Sequence, residues 1–126
     1  MIYGIGTDIV NIDRIKSILE KNQKRFASKI LTVEEYNFYN NNKSSEANYF
    51  AKRFAAKEAF SKALGTGIGK DLSFQDICIK NDNKGKPYFS FSKKIQNYLD
   101  IRDIKNTFIS ISDENDNAIA FVILEK

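Results

Sequence analysis

Glu46-Ala47-Asn48-Tyr49-Phe50-Ala51-Lys52-Arg53-Phe54-Ala55-Ala56-Lys57-Glu58-Ala59-Phe60-Ser61-Lys62-Ala63-Leu64, residues 46–64, is the stretch on which the fold turns. It is rich in Ala, Lys and Glu, which favour helix, and holds no Gly or Pro. Gly65 follows as a C-cap, so the spacing predicts one long helix. Glu58 and Lys62 are four apart and share a face, and Arg53 and Lys57, also four apart, lie on a face close by. On an isolated surface helix such a pair is worth only ~0.2–0.5 kcal/mol. Ala55, Ala56, Ala59 and Ala63 leave room for something to pack closely against the same helix.

Upstream, Ile2 to Val10 reads as a first strand and carries a carboxylate, Asp8, in an otherwise apolar segment that reads as buried. Gly4 and Gly6 weaken strand propensity but permit close approach of another backbone or subunit. Asn11 or Asp13 caps a helix running to about Lys21, with Ile12, Ile15, Ile18 and Leu19 on one face. Thr32-Val33-Glu34-Glu35 is a capping box that starts a short helix to about Tyr39, followed by a polar loop from Asn40 to Ser45.

Downstream, Gly65-Thr66-Gly67-Ile68-Gly69 is a tight loop of the kind that exposes backbone N–H groups to an anion. Ile77–Lys80 and Tyr88–Phe91 flank the turn signal Asn81-Asp82-Asn83-Lys84-Gly85-Lys86-Pro87 and predict a hairpin. Ser92–Leu99 reads as a short helix, and Phe108–Ser112 and Ala118–Leu124 as strands joined by an acidic turn. Helices in the first half and antiparallel strands in the second predict an α+β fold, with the long helix on a mostly antiparallel sheet. A length of 126 residues fits a single domain, 1–126.

Composition narrows the chemistry. There is no histidine, which removes histidine bases, serine–histidine pairs and most zinc sites. Cys78 is the one cysteine, so no internal disulfide forms, and its alternating surroundings read as a strand with a small buried thiol. No apolar run approaches the ~20 residues that span a bilayer. The apolar start has no basic n-region or small-residue cleavage site, so a soluble, cytoplasmic protein without membrane contact is expected. The net charge is +4. It is concentrated in Arg14, Lys16, Lys21, Lys24, Arg25 and Lys29, against Glu20 alone, which favours an acidic partner. Phe and Tyr lie within apolar patterns, which suits a core better than a base-stacking platform, so nucleic acid is not expected. Two carboxylates, Asp8 and Glu58, with lysines and an arginine beside one of them, point to a divalent cation and a phosphate ligand.

The quoted segments together closely resemble the holo-acyl-carrier-protein synthases, the small bacterial type of 4′-phosphopantetheinyl transferase. The resemblance is carried by Gly4-Ile5-Gly6-Thr7-Asp8-Ile9-Val10, by Lys29-Ile30-Leu31-Thr32 with Glu35, and by the block from Arg53 to Gly69. It continues through Leu72-Ser73-Phe74-Gln75-Asp76-Ile77, Asn83 with Gly85-Lys86-Pro87, and the final strand pair. It implies transfer of the 4′-phosphopantetheine arm of coenzyme A to a serine of apo acyl carrier protein, releasing adenosine 3′,5′-bisphosphate, in fatty acid biosynthesis. Asp8 and Glu58 match the family's Mg²⁺ carboxylates. Lys62 would assist at the same phosphates, and Arg53 and Lys57 would take the remaining ones. Gly65, Gly67, Gly85, Lys86 and Pro87 match loops on the nucleotide side. Glu58 is the preferred base for the serine, directly or through a metal-bound water. The resemblance also implies a homotrimer with active sites shared between subunits, and gives the basic surface of Arg14, Lys21, Lys24 and Arg25 to the acidic carrier protein. One departure stands out: Phe108 occupies a position where family members often carry histidine, and core packing is the role expected for it.

Overall fold

The computed structural model describes residues 1–41 and 46–126. The elements in order are β1 (Ile2–Asn11), α1 (Ile12–Ile30), α2 (Val33–Asn41), α3 (Glu46–Leu64), β2 (Ile77–Asn81), β3 (Pro87–Phe91), α4 (Lys93–Ile101), β4 (Asn106–Asp113) and β5 (Asn117–Glu125), with a 3₁₀ turn at Phe74–Asp76. All strand pairs are antiparallel. One sheet has the order β1-β5-β4 and the other is the β2-β3 hairpin. The α+β expectation therefore holds.

The helix α3 is the axis of the core. It carries buried side chains on every side, among them Phe50, Ala55, Ala59, Phe60 and Leu64, as expected for a helix covered all round. Phe60 meets Phe89 and Phe91 of the hairpin at centroid distances of 5.1 and 5.0 Å, and Phe50 meets Phe26 of α1 at 5.8 Å. Gly65, at φ 89°, ends the helix, and its N–H bonds Ser61 O at 3.0 Å.

Two expectations change. The first helical run of α1 ends at Lys21 as expected, since Asn22 lies out of helical geometry at φ −160°, ψ 81°, but a second, unexpected run carries α1 on to Ile30. Asn22 Oδ1 accepts the N–H of Arg25, so the residue that reads as a stop recaps a second half-helix. At the other end it is Asn11 rather than Asp13 that caps, accepting Arg14 N–H at 3.0 Å. The expected loop from Asn40 to Ser45 begins inside α2, and its residues 42–45 lie outside the described residues.

Candidate functional site

The strand β1 alternates. Gly6 and Val10 are buried against α3, whereas Ile5, Thr7 and Ile9 are exposed on the other face. Gly4, Gly6 and Asp8 follow one another at the two-residue spacing of a single face. A Cβ on Gly4 would overlap the carbonyl oxygen of Ala63, and one on Gly6 the carbonyl oxygen of Ala59. The two glycines therefore let strand backbone lie directly on helix backbone, and they bring Asp8 to the face of α3 that carries Glu58 and Lys62.

Lys62 Nζ donates to Asp8 Oδ1 at 3.1 Å and to the carbonyl oxygen of Thr7 at 2.9 Å. The Asp8 side chain is 16% exposed and that of Lys62 53%. Glu58 is partly buried beside them. Burial, and then the neighbouring charge of Asp8, hold its pKa above the ordinary carboxylate value, with Lys62 pulling the other way. The Thr7 carbonyl has no signature in side-chain pattern, and only the strand–helix geometry reveals its part.

Arg53 and Lys57 do not join this group, and the donors of Lys57 are all spent elsewhere, which corrects its expected place at the phosphates. Lys57 is fully buried, and its ammonium donates to Ile30 O at 2.6 Å, Glu35 Oε1 at 2.6 Å and Phe74 O at 3.0 Å. An ammonium has three donors, so none is left for a ligand. Burial draws its pKa below the usual lysine value against the opposing pull of Glu35. Arg53 is nine residues from Lys62, half a turn away around α3 at 100° per residue. Its guanidinium lies 4.5 Å from the centre of the Tyr49 ring, bonds Asn81 Oδ1 at 3.4 Å, and sits 3.7 Å from Glu35 Oε2.

Glu35 is the residue that sequence reading underrated. The capping box is present, with Thr32 N–H on Glu35 Oε1 at 3.0 Å and Glu35 N–H on Thr32 Oγ1 at 3.2 Å. The same carboxylate also accepts Lys57 and, through Oε2, the N–H of Ile79 at 2.9 Å. Its cap role accounts for it so completely that nothing local signals the second one.

The glycine loop also departs from expectation. The N–H groups of Gly65 and Gly67 both bond Ser61 O, and that of Gly69 bonds Leu72 O at 2.8 Å, so these three are not offered to an anion. In the hairpin, Asp82 Oδ1 takes the N–H groups of Lys84 and Lys86, while Asn81 Nδ2 donates to Gly85 O and connects the turn to Arg53. Arg14, Lys21, Lys24 and Arg25 are exposed along α1, as the basic-surface reading requires. Phe108 is not in the core. It lies 48% exposed on the outer face of the sheet.

Among the described residues no three His, Cys, Asp or Glu side chains gather as a metal set. Asp8 and Glu58 nevertheless suit a hard cation that takes one or two carboxylates and completes its shell with phosphate and water. A cation, the Lys62 ammonium, already rests on oxygens of Asp8 and Thr7.

A long buried helix laid on a glycine-bearing strand, with two carboxylates and a lysine at their seam, defines a class of small α+β proteins built to handle phosphate esters. Within that class, the family model of the 4′-phosphopantetheinyl transferase superfamily matches residues 4–122, and the chain belongs to that family. It is 53% identical to a holo-[acyl-carrier-protein] synthase of Ruthia magnifica subsp. Calyptogena magnifica, over 99% of this chain and 98% of the relative. The crystal structure of the Neisseria meningitidis holo-[acyl-carrier-protein] synthase superimposes with a TM-score of 0.94 at 47% identity, covering 100% of both chains. The Helicobacter pylori synthase, solved in complex with coenzyme A, gives 0.83 at 36% identity over 96% of this chain and 99% of that one.

Proposed function

We propose that residues 1–126 act as one transferase domain that moves 4′-phosphopantetheine from coenzyme A to a serine of apo acyl carrier protein, releasing adenosine 3′,5′-bisphosphate, in fatty acid biosynthesis in the cytoplasm. The observation that carries this is the seam itself. Asp8, Glu58 and Lys62 converge from β1 and α3, two elements far apart in the chain. Among the described residues no helix is long and apolar enough to cross a membrane.

Asp8 and Glu58 would hold Mg²⁺, which when bound supplies neutralising charge at the pyrophosphate. Lys62, on a flexible and half-exposed stem, turns to the phosphoryl oxygens as their charge grows. The serine oxygen forms a bond to phosphorus as the bond to the departing bisphosphate breaks. Glu58 takes the serine proton, and burial and the charge of Asp8, which raise its pKa, make it a stronger base than an ordinary glutamate. Gly65, Gly67 and the hairpin residues Gly85, Lys86 and Pro87 stay in this reading as nucleotide-side surface. Lys57 leaves it, and Arg53 stays as a candidate for a phosphate farther from Lys62.

The exposed basic residues Arg14, Lys21, Lys24 and Arg25 suit an acidic protein partner. A homotrimer is supported by the outer face of the three-stranded sheet. Its register aligns Ile5 with Ile123 and Ile123 with Phe108, and Ile9 with Ile119. Ile5 is 57% exposed and Ile9 62%, so a contiguous apolar patch lacks the second layer that a sheet needs, and further copies of the chain would supply it.

Incubating the chain with apo acyl carrier protein, coenzyme A and Mg²⁺ and weighing the carrier by mass spectrometry tests the reading. A gain of one phosphopantetheine is expected. An unchanged carrier, or hydrolysed coenzyme A alone, would overturn it.

A further inference from the structure

We propose that Lys62 is the resident counter-ion of Asp8 and so competes with a cation for it: a divalent ion gains Asp8 more readily once a pyrophosphate draws the ammonium away. The proposal rests on the metal-and-phosphate reading above and adds a competition to it. Lys62 Nζ takes two oxygens of β1, the carboxylate of Asp8 at 3.1 Å and the carbonyl of Thr7 at 2.9 Å. Oxygen donors of this kind, one of them anionic, are what a hard cation seeks. The ammonium and the ion therefore compete for one position.

Burial makes the two partners unequal. The Asp8 carboxylate is largely enclosed and held by a strand that lies on α3 backbone, whereas the Lys62 side chain is about half in solvent on a four-carbon stem. The lysine can leave, and the carboxylate cannot follow. Ion pairs with an exposed partner hold by only ~0–1 kcal/mol, so a pyrophosphate with several anionic oxygens outbids Asp8 for the ammonium. With Lys62 on Asp8, the cluster of two carboxylates and one ammonium has a net charge of −1. With Lys62 on a bound phosphate, both carboxylates are free for a dication. The ion and the phosphate ligand must then help each other bind, and by linkage to the same extent.

The test is Mn²⁺ binding to the full chain, measured by calorimetry with and without coenzyme A and with no carrier protein, so that nothing turns over. Wild type, Lys62→Met and Asp8→Asn are compared, with a thermal melt of each. Without coenzyme A, Lys62→Met is expected to bind Mn²⁺ roughly twofold to fivefold tighter than wild type, because a competing positive charge is gone. Coenzyme A should tighten Mn²⁺ binding more in wild type than in Lys62→Met. Asp8→Asn should bind weakly in both conditions. If wild type binds Mn²⁺ with coenzyme A but Lys62→Met gains nothing without it, Lys62 is no competitor and the metal reading stands alone. If wild type takes up no Mn²⁺ even with coenzyme A, the metal reading falls and takes this proposal with it.

Discussion

One helix carries two charge clusters that use the same chemistry for opposite ends. On one side of α3, Lys57 is sealed from solvent, and its three donors end on Ile30, Glu35 and Phe74. On another, Lys62 stands half in solvent on Asp8, with Glu58 beside it. Lys57 is saturated, and the second cluster is underpaired. Saturation makes a charge structural, because every hydrogen bond it can form is already spent on the fold. Underpairing leaves Asp8, Glu58 and Lys62 able to exchange one partner for another, which phosphate chemistry needs.

Substitutions on each side should separate the two. The largest effect is expected from Asp8→Ala and Glu58→Ala. Each should cut transfer by at least ~10³-fold, about 4 kcal/mol, while the melting temperature stays close to wild type. Steady-state rates across a Mg²⁺ series check this, and near-normal turnover at low Mg²⁺ would return both carboxylates to the fold. Lys57→Met should do the reverse, costing ~3–5 kcal/mol of stability because it leaves Glu35 buried without its partner. Urea denaturation measures it, and a wild-type midpoint would erase the distinction between the clusters.

Lys62→Ala should be intermediate. We expect kcat to fall roughly 10²-fold, about 2.7 kcal/mol, with little loss of stability and only partial rescue by Lys62→Arg. An unchanged kcat in the folded variant would leave Lys62 as a surface ion pair. Glu58 gives a subtler contrast through pH. Its pKa is raised on folding, so the folded chain holds that proton more readily than the unfolded one, and ionised Glu58 costs stability above its folded pKa. Glu58→Gln should therefore be slightly more stable than wild type at neutral pH, and the gain should vanish as pH falls through the raised pKa towards the ordinary glutamate value. Paired melts across that range decide it. The smallest effect belongs to the periphery. Charge reversal at Arg14 or Arg25 should raise KM for the carrier several-fold, spare coenzyme A, and fade as salt rises.

Much of this was legible in the chain. The ends of α3 at Glu46 and Leu64 and its cap at Gly65 follow from propensity and from the absence of breakers, which are local properties. The hairpin follows from its turn residues for the same reason. Asp8 and Glu58 stood out because each is an acid in apolar surroundings. What could not be read was which cation goes inside. Spacing assigns Arg53, Lys57 and Lys62 their angles around the helix, but Ile30, Glu35, Phe74 and Asn81, each well over a dozen residues from the side chain it meets, decide which angle is covered. Phe108 was placed in the core for the same reason, since alternation along β4 does not say which face of the sheet is filled.

The contact of Gly4 and Gly6 with α3 also bears on how this chain can diverge. Most tight contacts in a core can be relaxed by trimming the opposite side chain, so a harmful change at one position is rescued by a second one elsewhere. Here the atoms met by an added Cβ are the carbonyl oxygens of Ala63 and Ala59, which no substitution on the helix removes. Alanine at position 4 or 6, the smallest possible step, should therefore find no intragenic suppressor at residues 59 or 63, and a selection for revertants should return glycine itself.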